Sequence, residues 1–218
     1  MATFIPRNGD GDEGKEEGRE NFMEKEFRED PRKLYPFFAE MLEYPAYSLY
    51  ECFDECISLL MDRDHEAAKL LRKFESILAR VPLNEIQEIY TRTFDLQPAC
   101  YPYVGYHLFG EDYRRGLFMA GLKKHYLSHD FSVEKELPDH LAVILRFLAE
   151  TSGDKEKAEL IHECVIPSLE KMLAGGLKEG DNPYGGVLQA LLLTLQKEDA
   201  ESLAQSAERN YIPFALSV

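Results

Sequence analysis

The segment LNEIQEIYTRTF, residues 83–94, decides the fold class. Its side chains Ile86, Tyr90 and Phe94 are spaced four residues apart, which places them on one face of an α-helix. The strand signal, an alternating β-branched run bounded by a hairpin dipeptide, is nearly absent here and along the rest of the chain. The segment therefore predicts an amphipathic helix.

The same helical spacing continues on both sides of this segment. Before it, three helical faces are predicted: Leu34, Phe37, Phe38, Met41 and Leu42; then, after Pro45, Phe53, Ile57 and Leu60; then Leu70, Leu71, Phe74, Ile77 and Leu78. After it come a helix with Leu141, Ile144, Leu145 and Leu148 and with Pro138 in its first turn, a long helix through DKEKAELIHECVIPSLEKMLAGG bent at Pro167, and a last helix over YGGVLQALLLTLQ. The sequence predicts an all-α, single-domain bundle of about eight or more helices.

The chain directly after the opening segment is predicted to be a link. Pro98 and Pro102 favour extended backbone there. The next helix is predicted to begin near Gly110, where acidic residues follow and suit a helix N-terminus. Gly116 and Gly121 within that helix predict the close approach of another helix.

Length and composition predict one folded domain with a tail. The chain has 218 residues, of which 44% are hydrophobic, which is enough for one core. Its first 30 residues are rich in glycine and charge and poor in apolar groups. We therefore expect a disordered acidic tail over residues 1–30 and a helical domain over residues 31–218.

Charge and cysteine content limit the partners and the compartment. A formal charge of −15 repels nucleic acid and anionic lipid, so neither is expected as a partner. Four scattered cysteines and the lack of a leader pattern favour reduced thiols in the cytoplasm. No apolar run approaches the roughly 20 residues that span a bilayer, so direct membrane insertion is not expected.

Enzymatic sites are the weaker interpretation of the polar residues. Cys52, Cys56, His162 and Cys164 are zinc-type ligands, but their spacing is unspecific. Cys100 with His107 is a candidate nucleophilic pair, and its spacing across two prolines says little about distance. Phosphate-binding glycine loops are missing. We expect no catalytic residues, no metal and no cofactor.

Two segments carry residues typical of a recognition surface. The first, Tyr90 to Gly116, gathers tyrosines and charges, and tyrosine provides contact area with a polar tip. The second, ELPDHLAVILRFLAE, places Asp139 and His140 at the start of an apolar helix. On the structural interpretation Asp139 caps that helix and His140 is an exposed neighbour. On the functional one both face outward and bind a ligand.

Together these segments resemble a known family. EIYTRTFDLQPACYPYVGYHLFGEDYRRGLFMAGLK followed by LPDHLAVILRFLA is similar to the NarJ branch of the TorD/DmsD/NarJ chaperones, also called redox enzyme maturation proteins or nitrate reductase delta subunits. The resemblance covers roughly residues 34 to 195. It implies a TorD-like, non-catalytic, cytoplasmic chaperone that binds the N-terminal segment of a molybdoenzyme catalytic subunit while the molybdenum cofactor is inserted.

The resemblance and the residue types together predict a peptide-binding site. Rings would take apolar side chains of the client peptide, and carboxylates would take basic ones. The candidate residues are Tyr90, Phe94, Asp95, Tyr101, Tyr103, Tyr106, His107, Glu111, Asp112, Arg115, Asp139 and His140. His107 and His140 would make binding sensitive to pH.

The client and the other partners are left open by the sequence. A respiratory nitrate reductase alpha subunit is the leading client, and selenate, chlorate, dimethylsulfide or ethylbenzene enzymes are the alternatives. Cofactor-biosynthesis proteins are possible further partners, and the chaperone is expected to be a monomer or a weak dimer.

Overall fold

A computed structural model describes residues 30–96, 100–133, 135–151, 154–177 and 182–207. Within these ranges the chain is helical, and its only strand-like feature is one antiparallel bridge between Tyr103 and His140. The predicted tail, residues 1–30, lies outside the described ranges except for Asp30. The all-α fold class is confirmed.

The helices are numbered in chain order. They are α1 Tyr35–Met41, α2 Ser48–Arg63, α3 His65–Leu78, α4 Leu83–Tyr90, α5 Val104–Phe109, α6 Tyr113–Ser128, α7 Leu141–Glu150, α8 Asp154–Leu160, α9 Ile166–Gly176 and α10 Pro183–Ala207. Two π-helical turns, Thr91–Asp95 and Ile161–Val165, extend α4 and join α8 to α9. None of the described helices is both long enough and apolar enough to cross a bilayer.

An aromatic cluster lies in the core between α2, α3, α4 and α10. Tyr184 of α10 packs edge-on against Phe74 and Phe94, with ring centroids 4.9 and 5.0 Å apart, and against Tyr90 at 5.7 Å. Phe74 in turn contacts Phe53 at 5.1 Å. Such edge-to-face pairs contribute about 0.5–1.5 kcal/mol each beyond the apolar area they bury. The helical face predicted from residues 83–94 is therefore a core face.

The predicted link contains a helix. Residues 104–109 form α5, which ends at Gly110, whose φ of 65° lies in the left-handed region that glycine tolerates. The next helix, α6, begins at Tyr113 instead of near Gly110. Its N-cap is Asp112, whose carboxylate accepts a hydrogen bond from the Arg114 amide at 2.9 Å.

One other predicted helix start and one predicted helix contact differ from the structure. Helix α7 begins at Leu141, because the carbonyls of Pro138 and Asp139 are engaged by Tyr126 and Val104 and those residues form a turn instead. The expected close helix approach at Gly116 and Gly121 is wrong, since a Cβ added at either position would meet no described atom within 4 Å.

The C-terminal helices follow the predicted pattern with one adjustment. The predicted long helix runs from Asp154 to Gly176 and contains the π turn Ile161–Val165 directly before α9. Pro167 in the first turn of α9 lacks an amide hydrogen and its ring crowds the preceding turn, so the wider π spacing fits the chain there. The last helix extends beyond the predicted segment, to Ala207.

Candidate binding surface

Four of the predicted site residues are buried. Tyr90 and Phe94 are 6% and 1% exposed and belong to the aromatic core, where the Tyr90 hydroxyl donates to the Leu42 carbonyl at 3.0 Å. Asp139 and His140 are 0% and 4% exposed. The expectation that Asp139 and His140 face outward is therefore wrong, as is the alternative in which Asp139 caps α7 and His140 is exposed.

A backbone bridge brings the two recognised segments together. The Val104 amide donates to the Asp139 carbonyl at 2.8 Å, and the Leu141 amide donates to the Pro102 carbonyl at 2.7 Å. These two bonds pair Tyr103 with His140, whose rings meet edge to face at 5.3 Å. The tyrosine-rich segment and the start of α7 are thus one structural unit.

A buried ion pair reinforces this unit from α6. The Arg115 Nε donates to Oδ2 of Asp139 at 2.8 Å, and the side chains are 21% and 0% exposed, respectively. The same guanidinium lies 5.2 Å from the ring centroid of Tyr103 and 5.9 Å from that of Tyr106. Arg115 therefore compensates a buried carboxylate and orients two of the predicted binding rings.

Gly105 makes room for this ion pair. A Cβ at this position would lie 2.7 Å from Oδ2 of Asp139, 2.9 Å from Cδ1 of Phe118 and 3.1 Å from Cγ of Arg115. Real side chains do not approach this closely, so the backbone of α5 can reach the carboxylate only because residue 105 has no side chain.

His140 is the N-cap of α7. Its Nδ1 accepts a hydrogen bond from the Ala142 amide at 3.2 Å, which requires that nitrogen to be unprotonated. Burial lowers the pKa of His140, while the nearby carboxylates of Glu136 and Glu43 act in the opposite direction. The neutral imidazole is thus the form that the fold uses.

A second group of predicted residues lies on α5 and in the chain just before it. The Tyr106 ring contacts those of Tyr101 and His107, at 5.3 and 5.6 Å, and His107 Nε2 is hydrogen-bonded to the Tyr101 carbonyl at 2.7 Å. All three side chains are half-buried, and burial lowers the pKa of His107. Lys171 of α9 donates to the His107 carbonyl at 2.7 Å and ties this group to the bundle.

The predicted acidic residues at the start of α6 stand apart from the bridge. Glu111 and Asp112 are exposed. Asp112 is used by its own helix, because it caps α6 and forms a 3.1 Å ion pair with Arg114. Hydrogen bonds from the Arg114 amide and side chain lower the pKa of Asp112.

Three pairs of neighbouring residues form a surface that the sequence did not reveal. Each pair joins a carboxylate to an exposed apolar side chain: Glu43 with Tyr44, Asp95 with Leu96, and Glu136 with Leu137. Tyr44, Leu96 and Leu137 are 58%, 68% and 45% exposed. We call these six residues, with the half-buried Tyr103, the acidic patch.

The carboxylates of all three pairs lie within electrostatic range of Tyr90. Burial raises the pKa of the Tyr90 hydroxyl, and the carboxylates of Asp95, Glu136 and Glu43 raise it further. Burial also raises the pKa of Tyr103, and Glu136 and Asp95 again add to that effect. Tyr44 contacts the Tyr90 ring at 5.6 Å. All three carboxylates therefore lie near Tyr90.

Two of these carboxylates are available to a ligand. Glu43 pairs with Arg146, which also lies 3.7 Å from Glu40. Asp95 and Glu136 are exposed, and no ion pair to either is found among the described residues. Of the predicted site residues, Asp95 and Tyr103 belong to this patch. His140 and Arg115 contact Tyr103, and Asp139 pairs with Arg115.

The cysteine sites considered from the sequence have unfavourable chemistry for catalysis. Burial raises the pKa of the Cys52 thiol to about 12, and also raises that of Cys100. Such thiols are poor sources of the thiolate that catalysis or metal binding needs. Within the described ranges, no cluster of three or more His, Cys, Asp or Glu side chains is arranged to hold a metal ion.

Comparison with known proteins agrees with the motifs at the bridge. The family model described as nitrate reductase delta subunit matches residues 60–175. The probable nitrate reductase molybdenum cofactor assembly chaperone NarJ of Bacillus subtilis is 33% identical over 143 residues, which are 63% of this chain and 76% of that protein. The probable chaperone NarW of Escherichia coli is 28% identical over 78% of this chain and 73% of its own.

A third relative extends the same pattern. The nitrate reductase molybdenum cofactor assembly chaperone NarJ of Escherichia coli is 30% identical over 75% of this chain and 70% of its own length. The residues matched by the family model contain the bridge, the buried ion pair and two of the three carboxylate pairs, Asp95 with Leu96 and Glu136 with Leu137. The pair Glu43 with Tyr44 precedes that match. The chain belongs to the nitrate reductase delta subunit family, that of the NarJ-type assembly chaperones, which are not enzymes.

Proposed function

We propose that this protein is a cytoplasmic chaperone for assembly of a nitrate reductase, and that it binds the N-terminal segment of the catalytic subunit at the acidic patch. The assembly role follows the names of three relatives, each a nitrate reductase molybdenum cofactor assembly chaperone. Peptide binding rests on the surface itself.

The convergence of the three carboxylate–apolar pairs is the observation that supports peptide binding. A leader-like segment combines basic and apolar side chains, and it needs carboxylates beside exposed rings and aliphatic groups. Asp95 and Glu136 provide charges that form no ion pair with another described residue, and Tyr44, Leu96 and Leu137 provide the apolar area. Arg115 and Gly105 keep Tyr103 in place at the edge of this surface.

The binding experiment uses a synthetic peptide that covers the N-terminal segment of the nitrate reductase alpha subunit of the same organism. Isothermal titration compares the wild type with the double variant Asp95→Asn, Glu136→Gln. We expect the variant to bind at least about tenfold more weakly, which is about 1.4 kcal/mol. The matched control, Glu51→Gln with Glu55→Gln, makes the same change in net charge on an exposed face of α2 and should bind as the wild type does.

Equal losses of peptide affinity in the two double variants would show that binding depends on the net charge of the protein and not on the acidic patch. The assembly role is tested separately, by the molybdenum content of nitrate reductase isolated from cells that lack this chaperone. A normal content would contradict the assembly role whatever the peptide does.

A further inference from the structure

Helix α6 exposes an apolar stripe that the described chain leaves uncovered. Only Leu122 and Tyr126 of this helix are buried. On the opposite side Tyr113, Leu117 and Leu127 are 78%, 51% and 77% exposed. These are three of the eight large hydrophobic side chains found exposed among the described residues, so the exposure is concentrated in one element.

The spacing of this stripe is that of a helix–helix seam. Positions 113, 117, 120, 124 and 127 follow one another at intervals of four, three, four and three residues, with Tyr113, Leu117, Ala120 and Leu127 at four of them and Lys124 at the fifth. That alternation is the heptad a/d pattern by which one helix packs along another. The 16 residues of α6 correspond to about 24 Å of helix, enough for two heptads of a partner.

The charges on α6 oppose those of the rest of the molecule. The helix has no Asp or Glu between Tyr113 and Ser128, whereas the whole chain carries a formal charge of −15. Lys123 and Lys124 are exposed, and no carboxylate pairs with either in the described part of the chain. Arg114 is also exposed on this helix, but it pairs with Asp112 at 3.1 Å.

Gly116 and Gly121 are two further features of α6 that suit the packing of an external helix. Each glycine costs an exposed helix about 0.5–1 kcal/mol relative to alanine. Nothing described in this chain requires either one, since a Cβ at both positions would meet open space. They would instead let the backbone of an external helix approach α6.

We propose that this face of α6, from Tyr113 to Leu127, is a second docking surface, which binds an amphipathic helix with acidic flanks on a partner other than the basic client segment. Charge complementarity selects this occupant. In a parallel pair, a second copy of α6 would place Lys123 and Lys124 against the same cations, which is unfavourable. In either orientation, two chains that each carry a formal charge of −15 repel one another. A basic leader would meet the same repulsion here, and the acidic patch suits it instead. This inference does not depend on peptide binding at the acidic patch.

The test uses two fluorescent helical peptides of about three heptads, both with Leu at the a and d positions. One carries Glu at the flanking e and g positions and the other carries Lys there. In fluorescence polarisation, the wild-type chain should bind the Glu peptide and not the Lys peptide. Leu117→Asp and Leu127→Asp should each weaken binding by at least about tenfold, and Lys123→Glu with Lys124→Glu should reverse the preference between the peptides.

Matched controls separate docking from folding. Leu203→Asp on α10 and Lys73→Glu on α3 change exposed residues elsewhere and should leave binding of the Glu peptide intact. All the substituted side chains are exposed, so thermal melts should be close to that of the wild type. Excess nitrate reductase alpha peptide should not displace the Glu peptide.

Four results would overturn the proposal. One is equal binding of both peptides by the wild type, and another is unchanged binding in the Leu117 and Leu127 variants. A wild-type dimer in sedimentation velocity that Leu117→Asp dissociates would assign the face to a second copy. Binding to phosphatidylserine vesicles that is lost in the double lysine variant would assign it to lipid.

Discussion

At the residue scale, one missing side chain determines whether the bridge can form. Gly105 lies against Oδ2 of Asp139, Phe118 and Arg115, and the α5 backbone would have to move away to admit even a methyl group. Gly121 in α6 has the opposite surroundings, with open space where a Cβ would be. The two glycines therefore form a matched pair.

Gly105→Ala should lower the free energy of unfolding by about 1–3 kcal/mol, because overpacking outweighs the gain in helix propensity. Gly121→Ala should instead raise it by about 0.5–1 kcal/mol, since only propensity changes. Urea unfolding of both variants measures the difference. A stabilised Gly105→Ala protein would mean that the close approach at the ion pair is not rigid.

The two neighbouring arginines of α6 differ in burial and should differ in effect. Arg115→Ala would leave the fully buried Asp139 carboxylate without its cation, at a cost of about 3–5 kcal/mol. Arg114→Ala removes an exposed pair with Asp112 and should cost less than about 1 kcal/mol. Denaturant melts of the two variants test this, and similar costs would show that water reaches Asp139.

The burial of Asp139 and His140 also changes what their substitution means. From the sequence they were expected to act on binding more than on stability. Because the structure buries both, a loss of client binding in their alanine variants would reflect a damaged bridge unless stability were unchanged. Asp95 and Glu136 are cleaner probes of the surface, since both are exposed.

His140 should make stability depend on pH in a defined direction. Its folded pKa is lowered by burial, so below the ordinary value of about 6.5 the unfolded chain binds a proton that the folded chain does not. The unfolding free energy is therefore constant above that pH and falls as the pH drops through it toward the folded pKa, by at most about 1.4 kcal/mol per unit.

The variant His140→Asn isolates this effect. Asparagine is a good N-cap and does not titrate, so the variant should keep the cap of α7 and lose less stability than the wild type between pH 7.5 and pH 5.5. Urea melts at the two pH values give the comparison. Identical losses would assign the pH dependence to other groups, with His107 the first to examine because burial also lowers its pKa.

At the element scale, helix faces were predictable and the bridge was not. The spacing of Ile86, Tyr90 and Phe94 is local information, and it identified both the helix and its buried side. The position of α5 depends on a hydrogen bond from Val104 to Asp139, residues far apart in the chain, and on Gly110 in a left-handed conformation. No short window of sequence contains that information.

Contacts between residues far apart in the chain also explain why the site was only partly predicted from the sequence. Motifs pointed to Asp95 and Tyr103, which lie on the acidic patch, but also to Phe94, which is core. Glu43 and Glu136 were missed because an acidic residue beside an apolar one is ordinary in any single segment. Their significance comes from three segments, distant in sequence, that each place a carboxylate near Tyr90.

Helices α3 and α6 are similar in length and differ in how much of them is buried. Helix α3 buries five side chains: Ala67, Ala68, Leu71, Phe74 and Leu78. Helix α6 buries only Leu122 and Tyr126, and its other contacts include the Arg115–Asp139 ion pair and the hydrogen bond from Tyr126 to the Pro138 carbonyl at 2.7 Å.

Amide hydrogens in the middle of α6 should therefore exchange faster than those of α3, because local opening of α6 exposes less apolar surface. Hydrogen exchange followed by mass spectrometry of fragments covering each helix provides the measurement. If the two helices exchange at the same rate, α6 is covered in solution, and adding the Glu-flanked peptide should then bring no further protection.

At the scale of the whole molecule, the net charge is acidic, and helix α6 differs from it because its charged residues are basic. The chain carries a formal charge of −15, and the acidic patch contains two carboxylates that form no ion pair within the described ranges, whereas the charged residues of α6 are all basic. Two ligands of opposite charge would therefore be directed to different faces. Electrostatic direction of this kind acts mainly on the rate of association and is screened by salt.

Binding of a basic leader peptide should accordingly slow as salt is added. Between 0.05 and 0.5 M salt the screening length falls from roughly 14 to 4 Å. At the higher salt concentration the net charge of the protein is therefore screened before a ligand comes into contact. The association rate for the nitrate reductase alpha peptide, measured by stopped-flow fluorescence, should fall by about tenfold or more, while the dissociation rate changes much less.

The Asp95→Asn, Glu136→Gln variant should show faster dissociation at every salt concentration, because it loses contacts as well as charge. The Glu51→Gln, Glu55→Gln control should differ from the wild type only in association. If both double variants changed the dissociation rate equally, the peptide would be held by the overall field of the protein, and the acidic patch would not be its binding site.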